Sequence, residues 1–305
     1  MDRLAQMQAF VAVAEEQGFA AAARRLGVSP PVVTRSVAAL EQHLGVVLLE
    51  RTTRKVHLTE AGTRYLSDCK RLLAELEDVE ASVTGEHTTP RGLLGVTASI
   101  MFGRMFVAPL LTDFLVRQPQ VTARALLVDE VVDLMDEGLD VAVRIAKLSD
   151  STLTSVKVGA VRRVMVASPA FLKQHGVPKT PRDLGDLRTF AFSTERSPPA
   201  WAFEHRGKPL SLRARPTLLV NTSEAVIDAA ISGVCITRVL SYMVAEHVRT
   251  GRLKVVLSDY EAEPIPVHVL YREGRRAPAR VRAFVDFVVP RLRANPAVNL
   301  RLRQS

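Results

Sequence analysis

Basic and hydroxyl-bearing side chains cluster in one short stretch near the N-terminus. Residues 24–57 contain six Lys or Arg side chains against two Asp or Glu, a net charge of +4, whereas residues 1–23 carry −2. Cationic side chains neutralise nucleic-acid phosphates, and a guanidinium also donates paired hydrogen bonds to a guanine edge. The stretch therefore indicates a localised phosphate-contacting surface, although charge alone equally fits a random cluster on a solvated face.

These side chains need rigid elements to position them, and the apolar spacing predicts three helices. Apolar residues from Leu4 to Ala14 recur at helical spacing, and residues 19–26 form an alanine-rich helix. Ser29 and Pro30 suit the N-cap and the first position of the third helix. The third helix therefore carries the polar side chains that follow Pro30.

Ala23, Gly27 and Val33 have the spacing of a helix-turn-helix. This motif needs a small residue where its helices touch, a glycine in the turn and a β-branched residue that packs the second helix down. An ordinary three-helix core is the alternative for the spacing alone. The sequence LLERTTRKVHLT then predicts two short strands around Thr52–Lys55. This wing favours a DNA-binding module whose hairpin reaches the flanking backbone or the minor groove.

Thr59 is placed to cap a further long helix, whose apolar residues recur at alternating spacings of 4 and 3. That spacing is typical of a two-stranded coiled-coil seam, whereas a helix packed on its own core shows a broader apolar stripe. We therefore expect a homodimer through this helix. The seam residues are Tyr65, Cys69, Leu72, Leu76, Val79 and Val83.

Residues 1–86 resemble the DNA-binding module and linker helix of the LysR-type transcriptional regulators. The segment that carries the resemblance is GFAAAARRLGVSPPVVTRSVAALEQHLGVVLLERTTRKVHLTEAGTRYL, and the resemblance continues to about residue 290. It implies a winged helix-turn-helix that binds double-stranded DNA, in homotetramers that regulate nearby genes. The DNA contacts that it implies are Ser29, Pro30, Pro31, Thr34 and Arg35 on the recognition helix and Arg51, Thr52 and Arg54 in the wing.

Two of these positions have a predicted chemistry. Many members of the family have glutamine where this chain has Pro30. A proline side chain cannot donate to adenine, which leaves apolar contact with a thymine methyl. Arg35 is the candidate for direct base readout, because its guanidinium donates two hydrogen bonds to guanine in a suitable pose. A pure phosphate contact is the alternative for Arg35.

The remaining two-thirds of the chain alternates strand-like and helix-like segments, which predicts an α/β fold with largely parallel pairing. Within it, VVDLMDEG (131–138) is predicted as a helix. The resemblance implies two α/β lobes similar to periplasmic binding proteins, with a cleft between them. The predicted domains are a winged helix-turn-helix over 1–58, a linker helix over 59–89 and an effector domain over 90–305, with lobe I at 91–161 and 267–293 and lobe II at 162–266.

Ligands of such sheets bind beyond the carboxyl ends of the strands and at helix N-termini, where free N–H groups favour anions. Each polar residue there also has a purely structural alternative. Ser99, Thr222 and Ser223 would then serve only as helix caps, and Arg144 would serve only as the partner of an acidic neighbour. If Arg144 faces the cleft, the effector is a small organic anion. The candidate effector contacts are Ser99, Ile100, Arg144, Ile145, Ser193, Thr194, Asn221, Thr222, Ser223 and Thr237.

Other functional classes find little support in the sequence. The 305 residues include two cysteines, and seven histidines without metal-ligand spacing, so neither a disulfide scaffold nor a metal site is expected. Motifs of serine hydrolases, zinc proteases and nucleotide-binding loops are absent, so we expect no enzymatic activity and no cofactor beyond the effector. The N-terminus lacks a signal-peptide pattern, and no uncharged run reaches about 18 residues. We expect a cytoplasmic protein without a membrane partner.

Three functions remain open at the level of the sequence. The favoured one is a ligand-responsive LysR-type transcription factor. The others are a small-molecule binding protein whose helix-turn-helix only mediates association, and an α/β enzyme with an N-terminal interaction module. A redox role for Cys235 is less favoured than core packing, because the effector region holds no second cysteine. Residues 272–303 carry a net charge of +7, which indicates a solvated basic tail or a contact with bent DNA or an acidic linker helix.

Overall fold

The chain folds into two compact units, Met1–Thr89 and Pro90–Ser305. A computed structural model describes residues 2–51, 56–84, 89–148, 153–195, 197–213, 215–272 and 277–298 of these units. The predicted wing contacts Thr52 and Arg54 lie outside the described residues. The side chains of Arg51, Val79 and Val83 also lie outside the description, although their backbone is included.

The N-terminal unit consists of three packed helices, a short hairpin and a long fourth helix. These elements are α1 (Arg3–Glu16), α2 (Phe19–Leu26), α3 (Pro30–Leu44), β1 (Leu49–Arg51), β2 (Val56–Leu58) and α4 (Glu60–Thr84). The first three helices bury the apolar faces that their spacing predicts, and Phe10, Val33 and Leu40 are fully buried between them. The hairpin pairs antiparallel, with Leu49 opposite Leu58.

The C-terminal unit is an α/β fold, as predicted. Its strands are β3 (Gly92–Ala98), β4 (Val121–Leu127), β5 (Val141–Ile145), β6 (Thr154–Val161), β7 (Arg163–Ala167), β8 (Thr189–Phe192), β9 (Ala200–His205), β10 (Lys208–Arg213), β11 (Leu218–Val220), β12 (Ile236–Leu240), β13 (Lys254–Val256) and β14 (Ile265–Tyr271). Its α-helices are α5 (Ile100–Phe102), α6 (Ala108–Arg117), α7 (Pro169–His175), α8 (Ser223–Ile231), α9 (Ser241–Arg249) and α10 (Ala279–Ala294), and a π-helical turn, Gly103–Val107, joins α5 to α6. In the described part of the chain, strands β4 to β7 and β8 to β11 follow one another without the expected helices between them.

Two five-stranded sheets divide the described part of this unit into two lobes. The sheet of lobe I has the order β4-β3-β5-β14-β6, and that of lobe II has the order β11-β8-β12-β7-β13. The chain passes from lobe I to lobe II at Arg162, between β6 and β7, and returns between β13 and β14. The β9–β10 hairpin covers one face of the lobe II sheet, where Trp201 and Phe203 pack against Met165.

Strand pairing in these sheets is mixed, which corrects the prediction of largely parallel pairing. Strand β3 is parallel to β4 and β5, and β8 is parallel to β11 and β12, whereas β14 and β7 are antiparallel to both of their neighbours. Strands β7 and β14 are the strands that follow the two passages between lobes. A strand that arrives from the other lobe enters its sheet from the cleft edge, so it runs against the βαβ strands already there.

The segment VVDLMDEG (131–138) forms turns, so its prediction as a helix was wrong. The Asp133 carboxylate accepts hydrogen bonds from the backbone N–H groups of Met135 at 2.6 Å and Asp136 at 3.3 Å. Gly138 then adopts a left-handed conformation with φ +62°. An aspartate that bonds the backbone two and three residues onward offers the chain a turn in place of a helix.

Helix α10 forms the middle of the basic segment 272–303, so this segment is not a tail throughout. Arg280 is 5% exposed and donates to the Leu93 carbonyl at 2.8 Å. Arg291 and Arg293 donate to the carbonyls of Phe287 and Lys157. Residues 299–303 lie outside the described residues. Arg280 therefore serves the packing of lobe I, whereas Arg291 and Arg293 stay exposed.

Candidate nucleic-acid interface and ligand cleft

The turn between α2 and α3 has the geometry that the Ala23, Gly27 and Val33 spacing predicts. Gly27 adopts φ +67°, a left-handed conformation that strains residues with a Cβ atom, and its N–H bonds the end of α2. The Val28 N–H donates to the Ala23 carbonyl at 3.1 Å. Ala23 and Val33 are both buried, so the two helices touch where the small and β-branched side chains stand.

The N-terminal half of α3 presents the predicted DNA contacts on one accessible surface. Ser29, Pro30, Pro31 and Arg35 are exposed and Thr34 is half-buried. Ser29 occupies the N-cap position, but its hydroxyl makes no capping hydrogen bond. The Arg35 Nε lies 3.4 Å from the Pro31 carbonyl, which is long for a hydrogen bond, and the side chain is exposed to solvent. In a helix-turn-helix this is the part of the recognition helix that reaches base edges.

The charge count of the basic stretch overstates the cations that face solvent freely. Arg25 pairs with Glu15 at 2.6 Å and with Glu16 at 3.4 Å, and Lys70 of α4 also pairs with Glu15 at 2.7 Å. Although burial acts to raise the pKa of Glu15, hydrogen bonds from Lys70 and Arg25 hold it below its ordinary value. Arg25 therefore ties α2 to α1, whereas its neighbour Arg24, which is also exposed, has no ion pair among the described residues.

A carboxylate of α3 fixes the start of the wing. Glu41 Oε1 accepts hydrogen bonds from the backbone N–H groups of Leu48 at 2.8 Å and Leu49 at 3.0 Å. Arg51, the first predicted wing contact, ends strand β1 directly opposite Val56. The Glu41 carboxylate thus joins the recognition helix to the start of the hairpin through two backbone N–H groups, a role that sequence reasoning missed. Its signal was a carboxylate one helical turn before Gly45, which ends α3.

The first half of the predicted dimer seam packs inside its own unit. Cys69 is fully buried in the core of the N-terminal unit, and the ring of Tyr65 lies 5.7 Å from that of Phe10 on α1. Leu72 is 43% exposed and Leu76 is half-buried. This corrects the first half of the predicted seam, because Tyr65 and Cys69 pack in the core of their own chain. Leu72 is the first position of the seam that is exposed.

On lobe I, the carboxyl ends of β3, β4 and β5 bring together three polar groups. Ser99 occupies the N-cap position of α5 without a capping hydrogen bond, and its buried hydroxyl faces that of Tyr242. Asp129, after β4, accepts from the Ile100 N–H at 3.0 Å. The Arg144 guanidinium donates to the Val132 carbonyl, and burial lowers its pKa. Arg144 is therefore already engaged with its own backbone.

On lobe II, the loop after β8 opens a cavity of about 560 Å³. The predicted contacts Ser193 and Thr194 line it, and the Ser193 hydroxyl also accepts from the Glu195 N–H at 3.1 Å. The remaining lining residues, which the sequence did not single out, are Phe192, Glu195, Ser197, Pro198, Pro199, Ala200 and Arg213.

The start of α8 carries a carboxylate beside the predicted hydroxyls. Thr222 Oγ1 and Ser223 Oγ lie 3.1 Å and 3.5 Å from Glu224 Oε2, and Asn221 is exposed in front of them. Glu224 also faces Arg104 of the π-helical turn on lobe I, at 3.8 Å. This pair spans the cleft between the lobes and sits beside the predicted hydroxyls.

The other two predicted contacts are drawn into the packing. Thr237 is fully buried, and its hydroxyl donates to the Phe190 carbonyl of the neighbouring strand at 2.9 Å. Ile145 is half-buried at the end of β5, where it packs against the main core. The Thr237 hydroxyl therefore serves the sheet itself.

Comparisons with known proteins identify the family to which these two units belong. Residues 4–63 match the family model of the bacterial regulatory helix-turn-helix protein, lysR family, and residues 87–293 match the LysR substrate binding domain. The chain belongs to the LysR family of transcriptional regulators. The predictions of the family, of the fold class and of a regulator rather than an enzyme are thereby confirmed.

Relatives of this LysR-family chain share both units. An HTH-type transcriptional repressor of Pseudomonas aeruginosa is 33% identical over 98% of this chain and 95% of its own length. The HTH-type transcriptional regulator DmlR of Escherichia coli is 34% identical over 93% of both chains. The solved structure of CrgA, a LysR-type transcriptional regulator from Neisseria meningitidis, is 28% identical, covers 95% of this chain and 99% of its own, and has a TM-score of 0.61.

The cleft of this LysR-family protein contains acidic and aromatic groups that sequence reasoning missed. Burial raises the pKa of Asp129, and Glu224 across the cleft raises it further, while the Ile100 N–H opposes both. The ring of Tyr242 on α9 lies 5.2 Å from that of Phe102 on lobe I. Asp129 follows strand β4, so the rule that selected Ser99 after β3 also selects it.

The described residues show neither a metal centre nor a membrane span. No group of three or more His, Cys, Asp or Glu side chains in the described ranges is arranged to hold a metal ion. None of the described helices combines the length and the apolar composition that crossing a bilayer needs.

Proposed function

We propose that this LysR-family protein reads specific operator sequences through α3 and the β1–β2 wing, and that a small molecule bound between the lobes modulates its activity. The observation that carries DNA recognition is the N-terminal half of α3. There, five predicted contacts share one accessible surface behind a glycine turn. In such a module α3 enters the major groove and the hairpin reaches the flanking backbone. The proposed location is the cytoplasm, because the DNA that the protein would bind lies there.

The effector site is supported by the polar groups on both sides of the cleft. Ser99 and Asp129 stand on lobe I, while Ser193 and Ser223 stand on lobe II. The Arg104–Glu224 pair spans the cleft at 3.8 Å, so a ligand that inserts there changes the contacts that set the angle between the lobes. The ligand then shifts the population of lobe arrangements by its differential affinity for them.

Assembly as a homodimer through α4, and of two dimers as a homotetramer, completes the proposal. Leu72 is exposed and Leu76 is half-buried, and both continue the 4-3 spacing of the seam. Large apolar side chains at a and d positions of a long helix favour pairing with a second copy. Two recognition helices held about one DNA turn apart then read two half-sites.

Substitution of Arg35 tests the reading of bases. We expect Arg35→Ala to weaken binding to the operator by about 1–3 kcal/mol and to abolish discrimination at one base pair, because a bidentate contact to guanine is lost. The measurement is a gel-shift titration against single-base-pair variants of the DNA upstream of the protein's own gene. Arg249→Ala is the control, since Arg249 is exposed on α9 and pairs with Glu246. Equal weakening of binding to every sequence would show that Arg35 contacts only phosphate. Absence of any shifted band or footprint with the parent protein would contradict the regulator proposal.

Substitution of Leu72 tests the dimer. A carboxylate in an apolar seam is left without a partner, so we expect Leu72→Glu to shift sedimentation toward the monomer. Arg64→Gln, on an exposed side chain of the same helix, is the matched control and should sediment like the parent protein. If both variants keep the parent's oligomeric state, α4 is not the dimer interface.

A further inference from the structure

Three arginines come together where the chain passes between the lobes. Arg162 joins β6 to β7, and Arg163 is the first residue of β7. Arg238 lies on the neighbouring strand β12, where it pairs with Met165, and Leu240 pairs with Arg163. Because alternate residues of a strand share a face, Arg163 and Arg238 are diagonal neighbours on one face of the sheet, with a spacing of about 7–8 Å.

A single carboxylate, Glu261, faces this cluster. Arg162 Nη1 donates to Glu261 Oε2 at 2.8 Å, and the two side chains are only 22% and 9% exposed. Arg238 Nη2 donates to the backbone carbonyl of Ala202, and its guanidinium lies 4.9 Å from the ring centre of Phe203. Within the described residues one of the three guanidiniums has an ion-pair partner, so the cluster carries a net charge of +2.

The titration behaviour of the cluster agrees with this excess of positive charge. Burial, with the charge of Arg163 acting in the same direction, lowers the pKa of Arg238 to about 10, against the opposing effect of Glu261. Burial raises the pKa of Glu261, although Arg162 opposes it. The positive charges are therefore poorly solvated, and a further negative charge would stabilise them.

The unused donors of the cluster indicate the kind of group that fits. Nε and Nη2 of Arg162 are buried and have no hydrogen-bond partner among the described residues, and the same holds for Nε of Arg238. Nε and Nη2 form the edge of a guanidinium that donates two parallel hydrogen bonds to a carboxylate or a phosphate. Oε1 of Glu261 is also unpartnered within the described ranges, so Glu261 does not bridge Arg162 to Arg238.

We propose that Arg162, Arg163 and Arg238 form an oxyanion-binding subsite that takes the carboxylate or phosphate group of a small effector. The subsite rests on the proposed function, because it lies at the lobe II edge of the cleft, beside the passage from lobe I. Arg163 is exposed at the start of β7, so one member of the cluster faces solvent.

An anion at this position acts on both connections between the lobes. Arg162 belongs to the outgoing connection, and its partner Glu261 belongs to the returning one. An oxyanion that binds the free edge of Arg162 and reaches Arg238 joins the outgoing connection to the lobe II sheet. The ligand then increases the population of the lobe arrangement in which these hydrogen bonds have the best geometry.

Calorimetric titration of the full chain with inorganic phosphate, succinate and neutral succinamide, at constant ionic strength, tests the subsite. We expect an oxyanion to bind the parent protein and succinamide to bind at least tenfold more weakly. Tighter binding of phosphate than succinate identifies a phosphate ligand, and the reverse order identifies an organic carboxylate. Absence of binding by both oxyanions at concentrations on the order of 10 mM overturns the proposal.

Variants assign the binding to these arginines. Arg162→Lys keeps the charge beside Glu261 but lacks the two-donor edge, and Arg238→Met keeps the apolar packing on Phe203. We expect each to weaken oxyanion binding at least tenfold, with thermal unfolding as the check that the fold is kept. Arg249→Met is the control, because the Arg249 guanidinium pairs with Glu246 on the surface of α9. Equal affinity in Arg162→Lys, Arg238→Met and the parent overturns the subsite.

The two proposals fail in different ways. Gel shifts without added ligand measure DNA binding, which these cleft variants leave unchanged because they lie in the C-terminal unit. A missing footprint contradicts the regulator proposal, whereas oxyanion binding that does not depend on Arg162 or Arg238 contradicts the subsite alone.

Discussion

The two cysteines show how burial decides the chemistry of a side chain. Cys235 precedes β12 and is fully buried, and burial raises the pKa of its thiol to about 12. Burial likewise raises the pKa of Cys69 to about 11. Because the thiolate is the reactive species, both thiols are poor nucleophiles at neutral pH. The packing role that the sequence favours for Cys235 is therefore the one that its surroundings support, and Cys69 is buried in the same way.

The raised pKa of Cys235 predicts a pH-dependent contribution to stability. An unfolded thiol titrates near 9, whereas the folded thiol titrates near 12, so its stabilising effect is complete below pH 9 and is lost as the pH rises toward 12. We expect the gap in unfolding free energy between the parent and Cys235→Ala to narrow by about 1.4 kcal/mol from pH 8 to pH 10. Urea unfolding at pH 8, 9 and 10 measures it. A gap that stays constant over this range would contradict the burial of a neutral thiol.

Single side chains of the cleft show the limit of sequence reasoning at the residue scale. The rule of strand ends selected positions near the cleft, including Ser99 and Ser193. It did not show that Thr237 donates to the Phe190 carbonyl or that Arg144 donates to that of Val132. Those bonds depend on which strands become neighbours, and neighbours are set by tertiary packing rather than by local spacing.

At the scale of elements, strong periodicity predicted helices well and weak periodicity did not. Helices α1, α2 and α3 form where apolar spacing and Gly27 place them. The β9–β10 hairpin and helix α9 were not predicted at all. Segment 131–138 has apolar residues at helical spacing, but the Asp133 side chain bonds the following backbone and turns the chain. Competition from a side-chain acceptor is invisible to a periodicity argument.

The start of α4 gives a sharp test of element packing. A Cβ atom on Gly62 would lie 2.0 Å from the Leu48 carbonyl oxygen, so a side chain cannot be accommodated unless α4 moves away from β1. We expect Gly62→Ala to destabilise the N-terminal unit by about 1–3 kcal/mol or more and to weaken DNA binding, because the wing shifts with α4. Thermal unfolding and gel shifts measure the two effects.

The matched control for this substitution is Gly185→Ala. A Cβ atom there meets no heavy atom within 4 Å, and Gly185 does not adopt a positive φ. Gly62→Ala that unfolds and binds DNA like Gly185→Ala would show that the contact between α4 and Leu48 is not needed.

At the scale of the whole molecule, the net charge of +9 does not describe the DNA-binding surface. The first 89 residues sum to −2, and Arg25 is neutralised by Glu15 and Glu16 within its own unit. The excess lies in the C-terminal unit, where arginines such as Arg280 are built into packing. The overall charge therefore does not identify the partner, and the exposed cations of the helix-turn-helix module are few and local.

The salt dependence of DNA binding separates available from unavailable cations, and two adjacent arginines provide the comparison. Arg24 is exposed and has no ion pair among the described residues, whereas Arg25 is bound to Glu15 at 2.6 Å. Each phosphate that a protein neutralises releases counterions and adds about 0.9 to the magnitude of the slope of log K against log salt.

We expect Arg24→Gln to lower the magnitude of that slope by about one for each DNA-bound subunit. Arg25→Gln should leave it near the parent value, because its charge is already compensated. Fluorescence anisotropy titrations over several salt concentrations measure the slopes, and equal decreases in both variants would show that the Glu15 pair opens when DNA binds.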